Sequence, residues 1–373
     1  MNYYADDESH RQSLCLFIFM SIIRFIICIC LFIIALNAYG QEEAGCHCIQ
    51  PPDYYAPAGV FIDHVHAKKG WMFSYRYMQM NMRNNRSGNT KVSADQVYNN
   101  YIMAPHHMSM QMHMLMLMYG LSDKLTFMGM TSYAVNYMDM SMMGSGVMAQ
   151  MNMGSNNGNE FTAFSRTSGL TDTKIYALYE LLGNSSHELV LSGGINIPTG
   201  EKSLRGPSMT GENDKYSYIM QPGNGNFAVL PGITYTWKNH FISGGTQLSS
   251  ILRTGINKEH YRWGNEASIT SWMSHSWTGW LSNSLRADLT VADKIKGYDP
   301  EIAIMRSIDP TADINNYGGT RATFYGGLNM MLPNGRLKGL RFSAEYGLPV
   351  YQNLNGVQMS LKSTLYTSLQ YGF

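Results

Sequence analysis

The run MSMQMHMLMLM, residues 108–118, alternates six methionines with Ser109, Gln111, His113, Leu115 and Leu117. A helix would spread these residues around its circumference, whereas a period of two places all six thioethers on one face of a β-strand. The segments on either side alternate as well. In 71–83, Trp71, Phe73, Tyr75 and Tyr77 oppose Ser74, Arg76, Met78, Met80 and Met82. In 124–140, Leu125, Phe127, Tyr133, Val135 and Tyr137 oppose Lys124, Thr126, Met128, Met130, Ser132, Ala134, Asn136, Met138 and Met140. An aromatic or leucine face opposite one bearing Arg, Lys, Asn and Ser suits a transmembrane barrel strand, with lipid outside and a lumen within.

The rest of the chain repeats the pattern. After strands at 71–83, 108–119 and 124–140, further strands are expected at 171–182, 188–197, 227–237, 241–254, 266–276, 280–291, 321–332, 340–351 and 359–373. Their connections alternate between short turns and long polar loops. The expected fold is therefore all-β, an antiparallel transmembrane β-barrel of about 12 strands, with its short turns at the periplasmic rim. The composition agrees: 14% of residues are charged, mean hydropathy is −0.20, and there are 36 Gly, 25 Tyr, 14 Phe and 6 Trp. A soluble β-sandwich would show shorter strands, fewer interface aromatics and no strand ending on an aromatic such as Phe373. A net charge of +1 gives no reason to expect a nucleic-acid partner.

The N-terminus reads as a targeting segment. Arg24 precedes the apolar stretch 25–36, and Ala38 and Gly40 supply small residues before Gln41, so a signal peptide covering residues 1–40 is expected. The acidic Asp6, Asp7 and Glu8 are foreign to such a leader, and Met20 is the more natural start. Three of the five cysteines fall in this stretch, leaving Cys46 and Cys48, as suits a chain crossing an oxidising periplasm. Residues 41–70 are expected as a periplasmic N-terminal segment, and 71–373 as the barrel in the outer membrane of a Gram-negative bacterium.

Several stretches carry a resemblance. They are Pro57-Ala58-Gly59-Val60, Asp63-His64, Lys69-Gly70-Trp71-Met72-Phe73-Ser74-Tyr75-Arg76-Tyr77-Met78, Leu191-Ser192, Pro198-Thr199-Gly200, Gly223-Asn224-Gly225, Pro231-Gly232-Ile233-Thr234-Tyr235 and Gly347-Leu348-Pro349-Val350-Tyr351 through Gly356. Together they resemble a bacterial outer-membrane transporter-like family labelled for the meta-pathway of phenol degradation, whose members often occur beside copper-resistance genes. The resemblance covers nearly all of the chain after the leader. It implies a barrel and, through the family label, small aromatic compounds. It brings no catalytic motif.

The methionines form the candidate site. Twenty of the 29 lie between Met72 and Met153. On the expected faces, Met78, Met80 and Met82, then Met108, Met110, Met112, Met114, Met116 and Met118, then Met128, Met130, Met138 and Met140 all point into the lumen from three adjacent strands. Strands lie about 4.8 Å apart, so flexible thioethers of neighbouring strands can meet around one ion. Thioether sulfur suits a soft metal, copper as Cu(I) or silver as Ag(I). Met142, Met143, Met148, Met151 and Met153 extend the pattern into a polar loop, and His106, His107 and His113 could add nitrogen ligands. A second candidate is Cys46-His47-Cys48 with His64 and His66, for which a transient disulfide and ordinary turn histidines are the plain alternative. For the wall itself the alternatives are adaptable apolar filling and a sacrificial antioxidant surface.

No enzyme is expected. Ser274-His275-Ser276 is the one suggestive cluster, without a Gly-x-Ser-x-Gly elbow, and there is no phosphate loop or dinucleotide fingerprint. The expected function is a transporter or channel that binds or passes Cu(I) or Ag(I) along the Met wall, with a periplasmic copper-handling partner and no required cofactor. The alternatives are a channel for small apolar or aromatic compounds and a structural or stress barrel without transport.

Overall fold

The computed structural model describes residues 52–143, 160–207, 211–239, 242–335 and 337–372. The expected leader at 1–40, the Cys46–Cys48 cluster and the loop methionines Met148, Met151 and Met153 lie outside these residues.

The wall is a single antiparallel sheet that closes on itself. In chain order its strands are β1 (Trp71–Gly88), β2 (Met103–Ser122), β3 (Leu125–Met143), β4 (Glu160–Leu170, resuming at Thr173–Gly183), β5 (His187–Ile197), β6 (Phe227–Val229, resuming at Gly232–Lys238), β7 (Ile242–Thr254), β8 (Glu266–Thr278), β9 (Leu281–Ala292) and β10 (Gly319–Met331). The last continuous element, Arg341–Gly372, is 32 residues long, and a straight strand of that length would extend roughly 100 Å. Its pairing shows that it folds back. Residues 341–354 pair with β10, and residues 354–372 pair with β1. The reversal falls at Gly356, whose φ of +58° is open to glycine at no steric cost. Gln352 and Leu361 bond across the hairpin in both directions (3.0 and 2.9 Å). The halves are therefore β11 (341–354) and β12 (357–372). These eleven elements make twelve crossings, and all twelve expected strands are present.

The ladders run beyond the expected ends. β1 continues from Arg83 to Gly88 and is met there by Thr90–Val92; β2 begins at Met103, with an irregularity between Pro105 and His107. Trp71 sits beside Tyr119 (ring centroids 4.5 Å) at the short-turn rim, where Trp277 and Trp280 also lie exposed, as in an aromatic girdle. Leu115, Leu117, Phe127, Tyr133, Leu191, Leu285, Phe324 and Leu348 cover the outer surface between the rims.

The interior is filled at both ends. Residues 56–66 were expected to lie in the periplasm; they instead run inside the wall. Arg76 Nη1 donates to the carbonyls of Ala58 (2.7 Å) and Val60 (2.5 Å), while Thr234 Oγ1 and Gln247 Nε2 donate to the carbonyl of Ile62 (2.7 and 2.5 Å). Ala58, Val60, Ile62 and Asp63 are buried. The carbonyls of this segment and the lumenal donors of the wall satisfy one another's hydrogen-bonding needs. This plug leaves the lumen at the β2–β3 turn, where His66 N–H donates to Thr126 Oγ1 (2.8 Å) and Lys68 N–H to Asp123 Oδ1 (2.9 Å).

At the opposite end, the long loops were expected as plain polar connections, yet they carry structure of their own. The turn Tyr218–Met220, the helix Pro300–Ala303 and the turn Pro310–Ala312 pack through Tyr218, Tyr261, Ile295, Ile302, Ala312 and Tyr317. Lys215 Nζ joins Glu259 (2.5 Å) and Asp299 (2.6 Å), which ties three loops into one cap. Hydrogen bonding to these two carboxylates outweighs the burial of Lys215 and raises its pKa.

Candidate functional site

Between plug and cap lies a cavity of about 680 Å³. One wall is β1–β3, presenting Met78, Met80, Met82, Met110, Met112, Met114, Met128 and Met130. The other is charged and polar: Lys174 from β4, Glu266 and Thr270 from β8, Arg286 and Asp288 from β9, Arg321 and Tyr325 from β10, and Tyr366 from β12. Each charged residue alternates with lipid-facing neighbours, so strand parity alone turns it inward.

The charged wall is braced. Arg286 is bidentate to Glu345 (3.0 and 3.3 Å), both nearly inaccessible, and its guanidinium lies 3.6 Å from the Tyr325 ring centroid. Glu345 Oε2 also accepts the Gly59 N–H of the plug (2.5 Å). Asp288 accepts from Thr270 (2.6 Å) and Thr290 (2.9 Å). Arg321 Nε is buried without a hydrogen bond.

The ladder registers place the methionines in rows across three strands. Met82 faces Met108, which faces Met138; near the other rim Met72 faces Met118, which faces Met128. Met80 faces Met110, and Met116 faces Met130. The outer row belongs to a cluster of Met82, Met103, Met108, Met138, Met140, Met142, Met220, Met359 and Leu361, with Met80, Met110 and Met305 packed on it. The inner row packs with Met116, Leu178, Val190 and Ile62 of the plug.

Among solved structures, the barrel is similar to an outer membrane channel from Pseudomonas putida F1: 12% identity, 86% of this chain, all of that chain, TM-score 0.56. That likeness is one of fold: this chain, like that channel, closes as an antiparallel β-barrel. Weaker likenesses are the P. putida toluene transporter TodX (10% identity, 82% of this chain and 90% of that one, TM-score 0.39) and a Pseudomonas aeruginosa FadL homologue (9%, 82% and 90%, TM-score 0.38). No family model matches the chain, and no curated protein matches it in sequence.

Not every expected ligand joins the wall. His113 lies on the outer face, its Nδ1 bonded to Tyr75 OH (2.8 Å) and its ring near Tyr77. His107 is directed outward beside Tyr137 (6.3 Å), and Met143 is exposed on the outside. These three are corrections to the expected site, because strand alternation sends them to the face opposite the thioethers. His106 Nε2 is engaged with Ser141 Oγ (2.5 Å). His64 and His66 lie in the plug with rings 4.8 Å apart, and His64 Nδ1 contacts Asp63 (2.9 Å). Among the described residues no group of three or more His, Cys, Asp and Glu side chains converges as a metal site. Ser274 points inward while His275 packs on Trp277 outside, so the one suggestive catalytic cluster is split between two faces.

Sequence reading missed Met72, Met103, Met220, Met305 and Met359, together with the charged wall. Parity could have flagged Arg286 and Arg321. Met220 and Met305 sit on loops whose return into the barrel no local pattern announces.

Proposed function

We propose that this barrel is a channel for small apolar or aromatic solutes. The observation that carries the reading is the two-sided cavity, with eight thioether side chains facing a charged wall. Its volume matches a small-molecule site. Met is polarizable and conformationally adaptable, so the wall can follow rings of different shape, while Arg321 and Lys174 can take a polar substituent. The resemblance to the phenol meta-pathway family and the channel fold support the same reading. Plug and cap bound the cavity at its two ends, so a solute passing through it must get past both.

The test is uptake of a radiolabelled aromatic such as toluene by Gram-negative cells with and without the protein. Expression should raise uptake, and a Met110→Arg/Met112→Arg double variant, which places two guanidinium groups in the cavity, should cancel the gain. Uptake independent of expression would remove the reading.

A second reading, passage of Cu(I) or Ag(I) along the same wall, is favoured by the cross-strand rows, which repeat soft ligands without strong anionic traps; conduction needs sites weak enough to release. It predicts faster metal entry into cells carrying the protein, and equal entry with and without it would exclude it.

A further inference from the structure

We propose that the methionine cluster under the cap is a stationary binding site for a soft monovalent metal ion, Ag(I) or Cu(I). Its ligands would be Met82, Met108 and Met138, with Met220 above them. The site draws on the thioether chemistry of the second reading but needs no transit, and it stands if no metal crosses the membrane.

Three observations carry it. First, Met82, Met108 and Met138 are directly opposed on adjacent strands and all three are buried. Opposed residues on one face have Cβ atoms about 4.5–5.5 Å apart, within reach of converging thioethers. Second, Met220 is delivered from the cap at a fixed place. Its carbonyl accepts from Thr167 Oγ1 (2.5 Å) and Asn136 Nδ2 (3.4 Å), and Asn136 lies two residues from Met138 on the same strand face. Third, the cluster's composition is wrong for packing alone. A regular sheet interior is well filled by Leu, Ile and Val, with Met used sparingly as a gap filler. Here eight of nine fully buried cluster members are Met.

The inner row offers a contrast that selects the outer one. Arg341 Nη2 lies 3.3 Å from Met72 Sδ and sets a fixed positive charge against a would-be ligand. Among the described hydrogen bonds no such cation reaches the sulfurs of the outer row. Uncharged thioethers leave a monovalent soft cation favoured over harder divalent ions, which require anionic or nitrogen ligands.

The experiment is titration of the purified full-length protein in detergent with Ag(I) in chloride-free buffer, and with Cu(I) against a competing chelator, followed by X-ray absorption of the bound metal. Met82→Leu/Met108→Leu/Met138→Leu keeps side-chain volume and the strand pattern; circular dichroism checks that it folds. The expected result is a sulfur-only coordination shell in the wild type and binding weakened at least tenfold in the triple variant, with Met72→Leu/Met118→Leu/Met128→Leu close to wild type. Met220→Leu alone should weaken binding measurably. A shell containing nitrogen or oxygen, or equal affinity in wild type and the outer triple variant, would overturn the site. Toluene uptake by cells with Met108→Leu/Met138→Leu, neither of which lines the cavity, separates the two ideas, since the solute channel should survive loss of these two ligands.

Discussion

At the scale of single residues, Glu345 is the most consequential side chain outside the methionines. It neutralises Arg286 in the wall and holds Gly59 of the plug with the same carboxylate. Arg286→Met would leave Glu345 buried and uncompensated, a loss of about 3–5 kcal/mol. Replacing both partners, Arg286→Met with Glu345→Met, removes the orphaned charge, so the double variant should be markedly more stable than the single one. Urea-dependent unfolding in detergent checks the order; a double variant no better than Arg286→Met would show that the pair is not coupled. Gly59 permits a finer test. A Cβ there would collide with the Arg286 guanidinium and lie 3.0 Å from Glu345 Oε2. Gly59→Val should therefore unseat the plug while leaving the wall intact, seen as larger single-channel conductance in planar bilayers at unchanged thermal stability of the barrel.

At the scale of elements, the twelve strands were legible because alternation is a local property: each residue's side follows from its neighbour's. Even the offset of one residue would have turned the methionines of 108–118 to the lipid, and the leucines at 115 and 117 decided against that. The plug was not legible. Residues 56–66 have no period, and their position depends on donors contributed by Arg76, Thr234 and Gln247, which are distant in sequence. The same limit hid Met220, whose place depends on Thr167 and Asn136. The plug also carries a pH dependence. Burial, then the neighbouring His64 and Arg341, lower the His66 pKa to about 3, against the smaller opposing pull of Asp63. A released plug would titrate His66 near its ordinary 6.5. The seated form, binding fewer protons, is favoured above that value and loses about 1.4 kcal/mol per pH unit as pH falls from 6.5 toward 3. For Asp63, burial alone would raise the pKa, but His64, Arg76 and the Ala56 N–H outweigh it and hold the carboxyl below its usual range. Its contribution is therefore lost only below about pH 4. Between pH 6.5 and 4, conductance should rise on acidification in the wild type and stay flat in His66→Gln. A wild-type conductance without pH dependence would place the gate elsewhere.

At the scale of the whole molecule, the barrel depends on where apolar side chains fall, while the soft-metal readings depend on which atoms those side chains contain. Leucine keeps the apolar side, the approximate volume and the strand position of methionine, so Met78→Leu, Met80→Leu, Met110→Leu, Met112→Leu, Met114→Leu and Met130→Leu together preserve the alternation that closes β1 to β3. Volume-conserving swaps of this kind cost less than about 1.5 kcal/mol each, and side chains facing an open cavity have room to relax. The six-fold variant should therefore still insert as a folded barrel. Its aromatic uptake should stay within about twofold of wild type if the wall acts as an apolar surface, because leucine offers the same surface with fewer rotamers. Any accelerated Ag(I) entry should disappear, since no row but the outer and inner ones would keep its sulfurs. Cellular uptake of toluene and of Ag(I), measured on the same cells, gives the two answers together. Loss of toluene uptake with Ag(I) entry retained would show that the solute needs the sulfurs themselves and that the metal enters by another part of the chain.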